Sequence, residues 1–237
     1  MHTHKKEVLA SVTAQLNEGL TGELTIGNME TTFLQGFPRV SLRLENVVLR
    51  DSLFKKHNRT FLKAGRAEVA LNSLALIRGA IEIKKITISN AAIDMYVDSL
   101  GYSNANVFKK KAKTADAKSS GGGSFPELRK VQLENVSFTA DNRKNNKLYH
   151  FKVYELTAGI NYTSTGFEAD VDLEAMAESM AFNTKRGSFI KDKTLDGSFS
   201  VTYNEDDGFL DFAPERLDIG GERFIISARL GMGDSSK

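Results

Sequence analysis

Cysteine and tryptophan are both absent from this 237-residue chain. Without cysteine there is no disulfide, no thiolate metal site and no cysteine nucleophile. Without tryptophan a carbohydrate site loses its commonest stacking surface. Charge of one sign is not in excess either: 32 basic residues face 30 acidic ones, a net charge of +2, so the overall balance carries no nucleic-acid footprint. No apolar run reaches the roughly 18 residues of a membrane-spanning helix. Met1 to Glu7 is polar and no apolar stretch follows it, so a secretory leader is not legible. The reading expects either a cytoplasmic protein or, preferably, a soluble piece of a longer parent whose targeting segment lies upstream.

What is present is globular in composition, 41% hydrophobic and 26% charged, enough to bury a core. Lys5 to Leu20 predicts an amphipathic helix, with Val8, Leu9, Val12, Leu16 and Leu20 on one face. Almost everything after it alternates with period two, the mark of half-buried strands. Ile160 and Tyr162 precede a turn at Ser164-Thr165-Gly166, and Phe199 to Tyr203 precedes Asp206-Asp207-Gly208. Both are hairpin signals. A last strand is expected over 224–230, with short helical stretches at Asn72 to Arg78 and near Glu174 to Met180.

The alternation slips phase repeatedly. Leu42 and Leu44 are even-numbered, but after Glu45-Asn46 the apolar residues are odd: Val47 and Leu49. Ile86 and Ile88 give way after Ser89-Asn90 to Ile93 and Met95. Val131 and Leu133 are followed, across Glu134-Asn135, by Val136 and Phe138. A weaker copy surrounds Asn28. A strand that keeps one face buried must absorb an extra residue at each slip, by a β-bulge or a tight bend. Asparagine suits the place because it tolerates left-handed backbone. Phe37-Pro38 leading to Leu44-Glu45-Asn46-Val47 repeats as Phe125-Pro126 leading to Leu133-Glu134-Asn135-Val136, which argues for a duplicated β-unit. Between the copies, 109–124 is rich in Lys, Ser and Gly and predicts a linker. This gives a division into 1–108, 109–124 and 125–237. The Lys109 to Lys113 cluster is a solvated linker by default, with attraction to anionic headgroups as its alternative.

No chemistry-bearing constellation emerges. His2 and His4 form a terminal surface pair, His57 lies in a polar loop without a carboxylate at ligand spacing, and His150 sits in a strand. Glu205-Asp206-Asp207-Gly208 lacks the spacing of a calcium loop and reads as a turn. There is no nucleophile elbow and no phosphate loop. The expectation is therefore a non-enzyme with no cofactor and no metal.

The run Leu20-Thr21-Gly22-Glu23-Leu24-Thr25-Ile26-Gly27, then Phe37-Pro38-Arg39-Val40-Ser41-Leu42 and Leu44-Glu45-Asn46-Val47, resembles the opening of the bacterial AsmA family. So do Ala67-Glu68-Val69-Ala70-Leu71, Arg78-Gly79 and Ile81-Glu82-Ile83. The match covers about residues 8–108; beyond the linker it rests on the repeated motifs. The resemblance implies a mainly β protein: an N-terminal amphipathic helix, then repeated antiparallel strands curved into a taco-like groove related to that of chorein-type lipid bridges. It implies an inner-membrane anchor absent from this sequence, a periplasmic location, phospholipid as partner and a role in outer-membrane biogenesis. The candidate groove lining is Leu42, Leu44, Val47, Leu49, Ile86, Ile88, Ile93, Met95, Val131, Leu133, Val136 and Phe138. The alternation alone is equally compatible with a closed β-sandwich, acting as a non-enzymatic periplasmic scaffold that binds protein or glycan.

Overall fold

A computed structural model describes Thr13, Asn17 and residues 20–33, 39–72, 83–108 and 128–231. Eleven strands form one sheet: β1 Gly22–Phe33, β2 Arg39–Asp51, β3 Leu62–Asn72, β4 Ile83–Val97, β5 Lys130–Asn142, β6 Lys147–Thr163, β7 Gly166–Ala181, β8 Lys193–Asn204, β9 Phe209–Ile219, β10 Glu222–Phe224 and β11 Ala228–Gly231. Their spatial order follows the chain from β1 to β10, and β11 joins β10 along β9. The first strand does not meet the last, so the sheet is open. The closed-sandwich alternative is corrected: the described strands make a single layer.

Every neighbouring pair is antiparallel except β4 and β5, which run parallel over twelve paired positions from Lys85↔Lys130 to Val97↔Asn142. The wholly antiparallel expectation is corrected at this step. A parallel pair needs a long crossover, and residues 98–129 provide it. Expected helix near Glu174 to Met180 is also corrected. These residues lie in β7, between β6 and β8. Leu, Glu, Ala and Met favour a helix in isolation, but a ladder on both sides overrides that preference. The last strand divides into β10 and β11 around residues 225–227. Both hairpins form as expected, Ser164–Thr165 joining β6 to β7 and Glu205–Gly208 joining β8 to β9.

The expected N-terminal helix falls mostly outside the described residues, although Thr13 and Asn17 have helical backbone. The 109–124 segment, both Phe-Pro pairs, His2, His4 and residues 73–78 also lie outside them. The one described α-helix is short, α1 at Phe54–His57, and ends on Asn58 in left-handed conformation (φ 55°).

The phase slips have a common geometry. Asn46, Asn90 and Asn135 each adopt φ 53°, the left-handed region. The ladder skips Asn46 and Gly27 together, Gly65 and Asn46 together, Gly65 and Asn90 together, then Asn90 and Asn135 together. The bend reading holds at those three asparagines. The extra-residue reading does not, because both partners skip one residue in the same row and the register on either side is undisturbed. In β1 the row passes through Gly27 rather than Asn28, which stays paired with Glu45. A Cβ on Gly27 would lie 3.0 Å from that of Asn46, so the close approach selects glycine there. At β6 the row reaches Tyr154, and the shift is absorbed as a true bulge against β7, where Val153 pairs with Ala175 but Glu155 with Glu174.

Candidate functional site

Residues directly opposite one another in a sheet project to the same face. Leu42 aligns with Val69, Ile86, Val131 and Ala158, and the next row is Leu44, Ala67, Ile88, Leu133 and Leu156. Beyond the asparagine row come Val47, Ala64, Ala91, Val136 and Val153, then Leu49, Leu62, Ile93, Phe138 and Phe151. Side chains from both sides of the bend pack together: Leu44 with Val47 in one cluster, Leu133 and Leu156 with Val136 and Val153 in another. The bend thus returns the apolar residues to the face they would otherwise leave. All twelve residues singled out from the sequence sit in these rows or, for Met95, one step beyond. Leu44, Val47, Leu49 and Val136 are buried and most of the others half-buried, while Met95 is 37% exposed.

The opposite face carries polar rows. Arg43 Nε donates to Glu68 Oε1 at 3.0 Å. Ser89 Oγ donates to Glu134 Oε2 at 2.9 Å, and Gln132 Nε2 to Thr157 Oγ1 at 3.3 Å. Asn135 Nδ2 donates to Asn90 Oδ1 at 2.7 Å across the parallel pair. His150 belongs to this face, its Nδ1 3.2 Å from Glu178 Oε2. The sheet is therefore amphipathic over most of its width.

A second constellation was not legible in the sequence. Asp51 is buried at the end of β2, and its Oδ2 accepts from Leu53 N–H at 3.1 Å and from Tyr102 Oη at 2.5 Å. His57 Nδ1 accepts from Arg59 N–H at 3.0 Å, which leaves Nε2 to carry the proton. Nε2 donates to Oδ2 at 3.1 Å; Oδ1 is 3.0 Å away but poorly aligned, and is left without a bonded partner. So His57 does have a carboxylate companion, contrary to the sequence expectation. Burial, then the bond to Asp51, pushes the Tyr102 phenol up to about 12. Beside it, Arg59 makes paired bonds of 2.6 Å to both oxygens of Asp94, which raise its already high pKa, and reaches Asp141 at 3.3 Å. These contacts tie the 52–61 connection to the 98–108 connection. One signal was available: Asp51 continues the inward series Val47, Leu49, and a carboxylate in such a slot calls for partners.

Among the described residues no group of three or more His, Asp or Glu is placed to hold a metal ion, and no helix is long and apolar enough to cross a membrane. No family model, curated protein or solved structure matches the chain. The class that the fold itself defines is an open, single-layer, amphipathic β-sheet.

Proposed function

We propose that this chain is a segment of an AsmA-like cell-envelope protein whose sheet curls toward its apolar side into a groove for phospholipid acyl chains. The carrying observation is the apolar face, continuous from β1 to β9 and without a second sheet over it among the described residues. Half-buried apolar rows that no second layer covers remain partly in water, which is costly and calls for a ligand or partner. Val136, at 0% exposure, and Val47, at 4%, are shielded within clusters drawn from their own sheet, which supports curvature. Acyl chains fit such a surface because they need contact area and no hydrogen bonds. The polar rows would meet water. In this reading the parent is anchored in the inner membrane, the segment stands on its periplasmic side, and it contributes to building the outer membrane.

Native mass spectrometry of protein purified from cells tests the reading. Co-purifying phospholipid is the expected result, with a photo-crosslinker at Met95 labelling lipid and one at Lys63, on the polar face, not doing so. A clean apo mass with no uptake of fluorescent phospholipid sinks it and leaves a protein-binding scaffold instead.

A further inference from the structure

Chain direction places the connections 52–61, 98–108, 143–146 and 182–192 at one end of the sheet, and the 164–165 and 205–208 turns at the other. The described turns at the two ends differ in chemistry. The first holds three basic residues in 52–61, two in 143–146 and three in 182–192, against Asp98 and Asp192. Arg59 and Arg143 are engaged with Asp141, but Lys144, Lys185, Arg186 and Lys191 are exposed and make no ion pair among the described residues. At the second end the described turns carry Glu205, Asp206 and Asp207 and no cation, while Lys84, Lys85, Arg129 and Lys130 stand at the starts of β4 and β5.

Large apolar side chains also stand in solvent at the first end. Leu100 is 90% exposed and Phe189 81%. Phe189 meets Phe182 edge-on at 6.0 Å, and Phe182 meets Tyr149 at 5.7 Å, so the rings form a ridge continuous with β6. The connections are joined into one surface. Thr184 N–H donates to Asn146 O at 2.7 Å, Arg143 N–H to Val97 O at 2.9 Å, and the Lys144 side chain lies over Gly101 beside Leu100. Phe189 N–H donates to Met180 O at 2.8 Å, which holds the 182–192 connection against β7.

We infer that this rim docks on an anionic lipid surface, with Leu100 and Phe189 entering the headgroup–acyl boundary and Lys144, Lys185, Arg186 and Lys191 meeting the phosphates. Exposed rings interleaved with unpaired cations are the pattern of an interfacial membrane contact. A polyanion site would need the cations but has no use for an exposed leucine at the tip. The inference concerns the rim alone and stands whether or not the apolar face carries lipid.

The absence of tryptophan supplies the reporter. Phe189→Trp is mixed with vesicles of phosphatidylglycerol and phosphatidylcholine, and its emission should shift to the blue and be quenched by brominated acyl chains. Vesicles of phosphatidylcholine alone, or high salt, should weaken binding. Lys185→Glu with Arg186→Glu should lower partitioning more than about tenfold, since each cation near such a surface contributes roughly fivefold. Leu100→Ser with Phe189→Ser should abolish sedimentation with vesicles while the thermal melt stays unchanged, and Asp206→Asn with Asp207→Asn should leave binding intact. Two results overturn the inference: serine variants that bind as the wild type does, or retention on heparin without any blue shift on vesicles.

Discussion

Three asparagines at φ 53° set the bends in β2, β4 and β5. A β-branched residue in left-handed backbone is strained by about 1–3 kcal/mol, whereas glycine is not. Asn90→Val should therefore lower unfolding free energy by about 2 kcal/mol, and Asn90→Gly by less than about 0.5 kcal/mol, in urea titrations. Gly27→Ala should cost about 1 kcal/mol because its new methyl meets Asn46, and less when Asn46→Gly has removed that side chain. Tyr102 gives a pH signature. Its folded value of about 12 exceeds the ordinary tyrosine value near 10. The contact with Asp51 contributes fully below about pH 10 and is lost as pH rises toward about 12, because the unfolded chain releases that proton first. Stability should fall across that window, and Tyr102→Phe should flatten the fall, as read by chemical denaturation with ultraviolet titration of the phenolates.

Among elements, β1 is an edge strand, and edges invite further pairing. Asn17 blunts it: its Oδ1 accepts from Leu24 N–H at 2.7 Å and its Nδ2 donates to Leu24 O at 2.9 Å. Asn17→Ala should speed hydrogen exchange at the Leu24 amide by at least about tenfold while leaving the β5 amides unchanged. Much of the strand pattern was legible in the sequence, because alternation reports burial directly. The bends at Asn46, Asn90 and Asn135 were legible because a parity change coincided with a residue suited to left-handed backbone. The slip in β1 was misplaced by one residue: Ile26 and Met29 fit a slip at either Gly27 or Asn28, and only the partner strand decides. Tyr154 gave no signal, since an aromatic ring is ordinary in a strand. Nor did alternation report that β4 and β5 run parallel, because each strand buries the same residues in either direction. The Asp51–His57–Tyr102 cluster joins residues 51 positions apart, a separation that pattern reading does not bridge.

For the whole molecule the question is what an open sheet does with its apolar side. If that side holds acyl chains, ligand binding to the folded state adds stability by mass action. Stripping lipid by extraction should then lower the melting temperature by several degrees, raise binding of a hydrophobic dye and promote self-association, with phospholipid restoring all three. Dye binding and melting that do not respond to extraction would argue for a face already closed by protein.

The parallel step has one further consequence. From Ile86↔Val131 to Met95↔Ala140 the partners stay 45 residues apart, and Asn90 lies beside Asn135. The skipped row is thus a crease running from β1 to β6, kept straight because each of these strands breaks its ladder at the same height. Such a crease is indifferent to how many strands it crosses but sensitive to where each one folds. Adding or removing whole strand pairs between connections preserves it. A single residue inserted between Leu44 and Asn46 would put one fold out of line with Gly27 on one side and Gly65 on the other, and turn the lower half of β2 inside out.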